Sequence, residues 1–302
     1  MSHEAMVKGA FLGDAISLGP HWIYDQEEIA RTIARPDQFN DPISRYHPGK
    51  KAGDFTHYGD QMLVLLRHLA EVGSFDLPLY AKAWEAYWKS PDTISYCDGS
   101  TKDTLAHLGK GIPPGRAGAD SHDLAGASKI APLFLLRWND DESLVAACRS
   151  LTAFTHQDPE VIGASEFFAR VALEVRNGSA IPAAITTVGE GLDGRLRDWL
   201  AAAEASASAA GNDAALLKAH GLSCNVDGGF AGVCHLLLRY PDDATMALVE
   251  NAKAGGDNAA RGMILGMIYG AGDVGPLPGD WESGLNARKE ISALIERTTA
   301  GN

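Results

Sequence analysis

Apolar residues recur along this chain three and four positions apart, the spacing of one helix face, and no segment shows convincing period-two alternation. The plainest case begins at Asp158. That residue suits the capping position, Pro159 the first helical position and Glu160 the helix dipole. Val161, Ala164, Phe168, Val171 and Val175 form the inward stripe, and Asn177-Gly178 ends the helix. A final helix is expected to start at an Asp280 cap, with Trp281, Leu285, Ile291, Leu294 and Ile295 turned inward. The same reasoning predicts helices over about 5–18, 60–73, 77–89, 101–109, 120–137, 141–153, 182–191, 195–209, 212–219, 229–239, 243–253 and 257–271. The fold class is therefore all-α, read as a single domain over 1–302. Loops rich in turn residues fall at 34–59, 90–100, 110–120 and 272–280, and loops of that length often build sites.

Two of these helices carry small-residue stripes. Gly9, Gly13 and Ser17 are spaced by four, as are Gly262, Gly266 and Gly270, and residues four apart share a helix face. An interior glycine costs about 1 kcal/mol against alanine, so the stripes need a packing reason. Either they pack on each other or each packs elsewhere; we expect the former.

Composition narrows the partners. The 302 residues are 45% hydrophobic and 22% charged, ordinary for a globular chain, and carry a net charge of −13. No basic run exists to neutralise a phosphate backbone, which argues against nucleic acid. Cys97, Cys148, Cys224 and Cys234 form no Cys-x-x-Cys pair, and are read as reduced thiols of a cytoplasmic protein. The start, Met1-Ser2-His3-Glu4, does not resemble a signal peptide, and no apolar run approaches the roughly 20 residues of a membrane span.

Four segments carry candidate chemistry. Asp14, in Gly13-Asp14-Ala15-Ile16, sits on an otherwise apolar helix, where a carboxylate must be bonded, paired or functional. Just beyond, His21, Trp22 and Tyr24 form an aromatic cluster with polar handles, suited either to a core or to stacking a base or sugar. Gly53-Asp54-Phe55-Thr56-His57-Tyr58-Gly59-Asp60 puts two carboxylates, a histidine and a tyrosine before an apolar helix, where Asp60 is either its cap or an acid/base or hard-ligand group. In Thr155-His156-Gln157-Asp158, His156 either holds a ligand or satisfies a loop carbonyl. In Gly255-Gly256-Asp257-Asn258-Ala259-Ala260-Arg261, the glycines allow close approach by a ligand, and Asp257 either caps the helix or serves the site.

In this order the segments resemble the ADP-ribosylglycohydrolase superfamily over nearly the whole chain. The match runs through Gly13 to Ser17, through Gly126-Ala127-Ser128-Lys129-Ile130-Ala131-Pro132-Leu133, through Thr155 to Pro159 and through Gly255 to Ala271. The stretches around His21–Asp25, Lys51–Gln61 and Gly255–Gly262 are most similar to the branch of J-type crystallins and selenoprotein J. The resemblance implies a compact helical domain with a central cleft, two magnesium ions and removal of ADP-ribose from modified side chains. The departures are in the metal motifs. Where the family has Thr-Asp-Asp-Thr, this chain has Thr56-His57-Tyr58-Gly59-Asp60; where it has Asp-x-Asp-Thr, only Asp257 remains before Ala259 and Ala260. No cofactor is expected beyond, at most, one magnesium between Asp60 and Asp257. The expected catalytic groups are Asp60, Asp257, Asp14 and His57. The expected ligand contacts are His21, Trp22, Tyr24, Tyr58, Ser128, His156, Asn258 and Arg261, around a small-molecule or ADP-ribosylated substrate. The alternative is an inactive ribose- or nucleotide-binding protein of crystallin type.

Overall fold

The computed structural model describes residues 3–272 and 277–300, and these form fifteen α-helices. In chain order they are α1 His3–Ser17, α2 Gln26–Thr32, α3 His57–Val72, α4 Leu77–Lys89 and α5 Gly99–Gly109. Then come α6 Asp141–Thr155, α7 Pro159–Arg176, α8 Ile181–Gly189, α9 Gly194–Ala207 and α10 Asp213–His220. The last five are α11 Val226–Arg239, α12 Ala244–Ala254, α13 Asn258–Ala271, α14 Gly279–Gly284 and α15 Arg288–Ala300. Among the described residues the only β pairing is two isolated bridges, Ala119–His156 and Asp123–Asn225. The all-α expectation holds. No described helix is long and apolar enough to cross a membrane.

Helices α1 and α13 form the most extensive helix–helix contact, and they are buried almost throughout. A Cβ placed on Gly9 would lie 2.1 Å from the Gly266 carbonyl oxygen, and one on Gly13 would lie 1.9 Å from that of Gly262. A Cβ on Gly270 would meet the Ala5 carbonyl oxygen at 2.3 Å. The two stripes therefore pack on each other, antiparallel, backbone against backbone. Four residues on one helix match four on the other, so the register brings Ser17, at the end of α1, to Asn258, at the start of α13. There Ser17 Oγ lies 3.2 Å from the Asn258 carbonyl oxygen.

Three elements differ from the sequence-based expectation. Residues 120–137 are not one helix but two 3-10 turns, Leu124–Ala127 and Ala131–Leu135. Two backbone groups of this segment bond to distant chain: Leu124 N donates to the Cys224 carbonyl, and the His122 carbonyl accepts from Val226 N. Pro132 also has no N–H to give an α-helix. Helix α2 has no stripe in the sequence because only Ile29 of it is buried; Asp25 caps it through Glu27 N and Glu28 N. The last helix is two, α14 and α15, and Asp280 lies inside α14, whose N-cap is Pro278. Asp158 caps α7 as expected. Of the expected loop 272–280, residues 273–276 lie outside the described residues.

The α1–α13 contact yields a direct test. Gly266→Ala should destabilise by about 1–3 kcal/mol through overpacking, although alanine is the better helix former. Gly109→Ala, where a Cβ meets nothing within 4 Å, should be neutral or stabilising. Urea melts of both variants check this; equal stability would contradict close backbone packing.

Candidate functional site

The site forms where α1 ends and α13 begins. The turn after α1 is clasped to the double glycine: Trp22 N donates to the Gly256 carbonyl at 2.8 Å, and Gly256 N donates to that of Ile23 at 2.8 Å. Trp22 takes φ 62°, a left-handed conformation that costs a bulky residue energy and tends to persist at functional positions. A Cβ on Gly256 would lie 2.2 Å from the Leu222 carbonyl oxygen, and one on Gly255 would lie 2.4 Å from that of Ile23. The close approach that these glycines allow is thus made by the chain's own backbone, not by a ligand as the sequence suggested.

Asp257 stands at the N-cap position of α13 but makes no capping bond. Its carboxylate turns inward instead. Tyr58 donates its hydroxyl to Oδ2 at 2.9 Å, while Oδ1 is buried without a hydrogen-bond partner, 3.8 Å from His21 Nδ1. Burial pushes the Asp257 pKa up to about 6, against the Tyr58 hydrogen bond and the Arg261 charge, with Asp123 adding to the rise. His21 Nδ1 also contacts Asn258 Oδ1 at 3.2 Å, and burial, with His47 and His57 beside it, holds its pKa well below the ordinary value. Arg261 is 1% exposed: Nε donates to Asn251 Oδ1 and Nη2 to the Gly255 carbonyl, leaving Nη1 unpartnered. Burial lowers its pKa to about 10.

The opposite side comes from α3. Its N-cap is Thr56, not Asp60 as expected, so the helix begins earlier and turns His57 and Tyr58 inward, where both are buried. The Tyr58 hydroxyl is thereby aimed at Asp257. His57 Nε2 lies 3.2 Å from Asp98 Oδ2, though without hydrogen-bond alignment. Asp98 itself caps α5 through Thr101 N. Burial would raise the Asp98 pKa, but His57 and the Thr101 donors outweigh it and hold it well below the usual range. Above this pair the rings gather: Trp22 lies 4.7 Å from His21, 5.1 Å from His57, 5.2 Å from Tyr46 and 5.3 Å from Tyr96, centroid to centroid. Tyr24 is about half exposed; partial burial, with the Asp257 charge, raises its pKa to about 12.

Asp14 is buried on α1. It accepts from Thr56 N at 2.8 Å and from Thr56 Oγ1 at 2.6 Å, so it holds the start of α3 against α1. Burial outweighs those two donors and raises its pKa to about 7. Asp60 has both oxygens on Lys50 Nζ, at 2.8 and 2.7 Å, and lines a surface pocket with Leu63, Arg67 and Tyr87. Ser128 spends its hydroxyl on the Ala125 carbonyl. His156 Nδ1 contacts Thr155 Oγ1, and its Nε2 is buried without a partner.

Sequence reasoning missed Asp98, Asp123, His47 and Lys129. Lys129 is 3% exposed, donates to Gln61 Oε1 at 3.3 Å and feels the Asp98 and Asp123 charges; burial lowers its pKa to about 8. It is the one charged residue in the apolar run 124–136, which was the available signal. Asp98 and Asp123 gave none, since each reads as an ordinary cap or turn residue.

Magnesium wants octahedral oxygen ligands. At Asp257 the neighbours are a phenol, an amide and an imidazole, and the following Ala259 and Ala260 are buried methyls. With Asp60 engaged by Lys50, this donor set does not fit the ion. Among the described residues, the three-donor group within 4.8 Å is His122, Asp158 and Glu160. There Asp158 already caps α7, and Glu160 pairs with Arg195.

Asp14 supplies a stability test. Its folded pKa is raised from 3.8 to about 7, so the folded chain holds a proton that the unfolded chain releases. This contribution is present below about pH 4 and is lost as pH rises to about 7, by at most roughly 1.4 kcal/mol per pH unit. Asp14→Asn should flatten that part of the stability–pH curve, measured by urea melts between pH 4.5 and 7.5. An unchanged slope would mean that Asp14 does not carry it.

The ADP-ribosylglycohydrolase family model matches residues 4–302. Crystallin J1A of Tripedalia cystophora is 24% identical over 316 residues, covering 97% of this chain and 95% of the crystallin. Crystallin J1B of the same animal is 24% identical, covering 95% and 93%. A solved structure titled as an ADP-ribosylglycohydrolase-related protein complex superposes with TM-score 0.72 at 22% identity, over 99% of this chain and 98% of that one. The structural likeness establishes the shared fold. The family match, which runs across nearly all 302 residues, establishes that this chain belongs to the ADP-ribosylglycohydrolase family.

Proposed function

We propose that the protein is a hydrolase that cleaves an N- or O-ribosyl bond of an ADP-ribosyl-like small molecule or modified side chain, with Asp257 as the proton-carrying group. The state of Asp257 supports this most. It is buried, held by Tyr58 on one oxygen, free on the other, and raised to about pKa 6. A carboxyl in that state retains a proton in mildly acidic solution and can give it to a leaving nitrogen or oxygen. The ribosyl carbon then passes through an oxocarbenium-like state and takes up water. Trp22, Tyr46 and Tyr96 offer flat faces for a base or sugar. Asn258 and Arg261 keep Nδ2 and Nη1 free for ligand oxygens. His57, beside Asp98, is the second candidate catalytic side chain. No step runs through magnesium, whose ligands are not assembled at Asp257.

One observation favours a second reading, a binding protein without turnover: the two relatives are named crystallins. Thermal shift with ADP-ribose, ribose and adenosine, with and without magnesium, separates the cases when paired with product detection. The hydrolase reading expects stabilisation by ADP-ribose without the metal, and turnover that falls as pH rises past about 6 and Asp257 loses its proton. Asp257→Asn should lower the rate by about 100-fold or more. Undiminished turnover in that variant overturns the assignment. Stabilisation that requires magnesium contradicts the metal-poor site. Ligand stabilisation with no wild-type turnover establishes the binding reading.

A further inference from the structure

A second chain of hydrogen bonds, built from none of the residues of the ribosyl-bond site, joins the last turn of α9 to α10 and α11. Ser206 Oγ lies 2.8 Å from His235 Nδ1 and 2.8 Å from His220 Nε2. His235 Nε2 lies 3.1 Å from Asp213 Oδ1. Tyr240 donates its hydroxyl to Asp213 Oδ2, and Arg239 Nε stands 3.4 Å from Oδ1. The donors along this chain have one consistent arrangement. Asp213 faces donors at both oxygens and acts as an acceptor, so His235 presents Nε2–H to it; a ring lone pair there would face a carboxylate. The neutral ring then carries its lone pair on Nδ1, and the hydroxyl hydrogen of Ser206 points at it. The rival acceptor for that hydrogen, the Ala203 carbonyl at 3.0 Å, would leave His235 without this match. With its single hydrogen spent, the Ser206 oxygen accepts from His220 Nε2–H. Burial lowers the His235 pKa against the Asp213 hydrogen bond and charge, which keeps the ring neutral and able to take a proton.

Asp213 and His235 are buried, whereas Ser206 and His220 are half-buried, so the hydroxyl stands at the outer end of the chain. The residues that follow it, Ala207 to Gly211, are small and at least partly exposed, which leaves that side open to approach. Arg239 fixes this turn by donating Nη1 to the Ala207 and Ala209 carbonyls.

We propose that Ser206, His235 and Asp213 form a second catalytic centre, in which an activated serine hydrolyses short-chain carboxylic esters. A nucleophile and a base within hydrogen-bond reach, with the base oriented by a third group, is the arrangement that activates a serine. The Ser206 oxygen bonds to the acyl carbon as its proton passes to His235 Nδ1, and Asp213 holds the imidazolium so formed. The bond from the acyl carbon to the alcohol oxygen then breaks, its electron pair leaves with that oxygen, and the alcohol takes the proton from His235. Water adds to the acyl-serine in the same way, which releases the carboxylic acid and restores the hydroxyl. His220 is a positioning residue, holding the serine oxygen in place. This centre is separate from the ribosyl-bond reading and stands or falls without it.

The same bonds would also tie three helices together, so the test reads reactivity and stability side by side. The full-length wild type is treated with a fluorophosphonate and, separately, with p-nitrophenyl acetate. Expected are phosphonylation of Ser206, located by peptide mass spectrometry, and a burst of p-nitrophenolate equal to the chain concentration. Ser206→Ala should abolish both, and Ser208→Ala, which alters an exposed hydroxyl in the following turn, should keep both. His235→Gln and Asp213→Asn should each slow acylation by about 100-fold or more, with thermal melts reporting whether the helices still hold. An unlabelled Ser206 in the folded wild type overturns the proposal. So does labelling that runs equally fast in His235→Gln, since the hydroxyl would then be accessible but not activated. If both of those variants melt below the assay temperature, the wild type decides alone: a burst that Ser206→Ala removes supports the triad, and no burst overturns it.

Discussion

The approach of α1 to α13 without side chains between them is the constraint on which the rest depends. Glycine carbonyls fill the space that methyl groups would need, so the two helices run side by side at backbone distance. This contact sets one register, and the register puts the end of α1 against the beginning of α13. Every element of the site is referred to that junction. The His21–Tyr24 turn follows α1 and is clasped to Gly256, Asp257 opens α13, and Asp14 on α1 ties down Thr56 and with it the inward face of α3.

What collects at the junction is polar and buried. Burial acts on each group in the direction that disfavours its charge: it raises Asp14 and Asp257 and lowers His21, Arg261 and Lys129. A core assembled for stability alone would pair these groups or replace them with apolar ones. Here ring nitrogens of His21, His47, His57 and His156, an oxygen of Asp257 and a guanidinium nitrogen of Arg261 lack partners. The surrounding helices are packed well enough to carry that penalty, and Trp22 in a left-handed conformation adds strain at the same spot.

The family relationship and the site chemistry point in different directions. The fold is retained over nearly the full chain, while His57, Tyr58, Ala259 and Ala260 stand where the resemblance in sequence implied metal ligands. Tyr58 bonds Asp257, and His57 faces Asp98, so both residues orient carboxylates. Lys50 takes both oxygens of Asp60, which removes that carboxylate from the shared role that its sequence position suggests.

Local patterns were legible in the sequence. Helical periodicity, the Asp158 cap, the paired glycine stripes and the ordered family segments are all short-range signals, and each appears in the structure where the residues place it. Segments whose conformation depends on remote backbone were not legible. Residues 120–137 look helical by composition, but Leu124 N bonds to the Cys224 carbonyl and the His122 carbonyl accepts from Val226 N, and α2 has too little buried surface to show a stripe. The same division runs through the site. Asp14, His21, His57 and Asp257 stood out because polar groups in apolar surroundings need an explanation. Asp98 and Asp123 looked like common turn residues. Tertiary structure alone decided that Asp60 belongs to Lys50, that Tyr58 belongs to Asp257 and that Lys129 lies buried near Asp98 and Asp123. The physical reason is range: a helix is specified by neighbours within a few residues, whereas the ionisation and pairing of a buried group are set by whatever the fold brings against it.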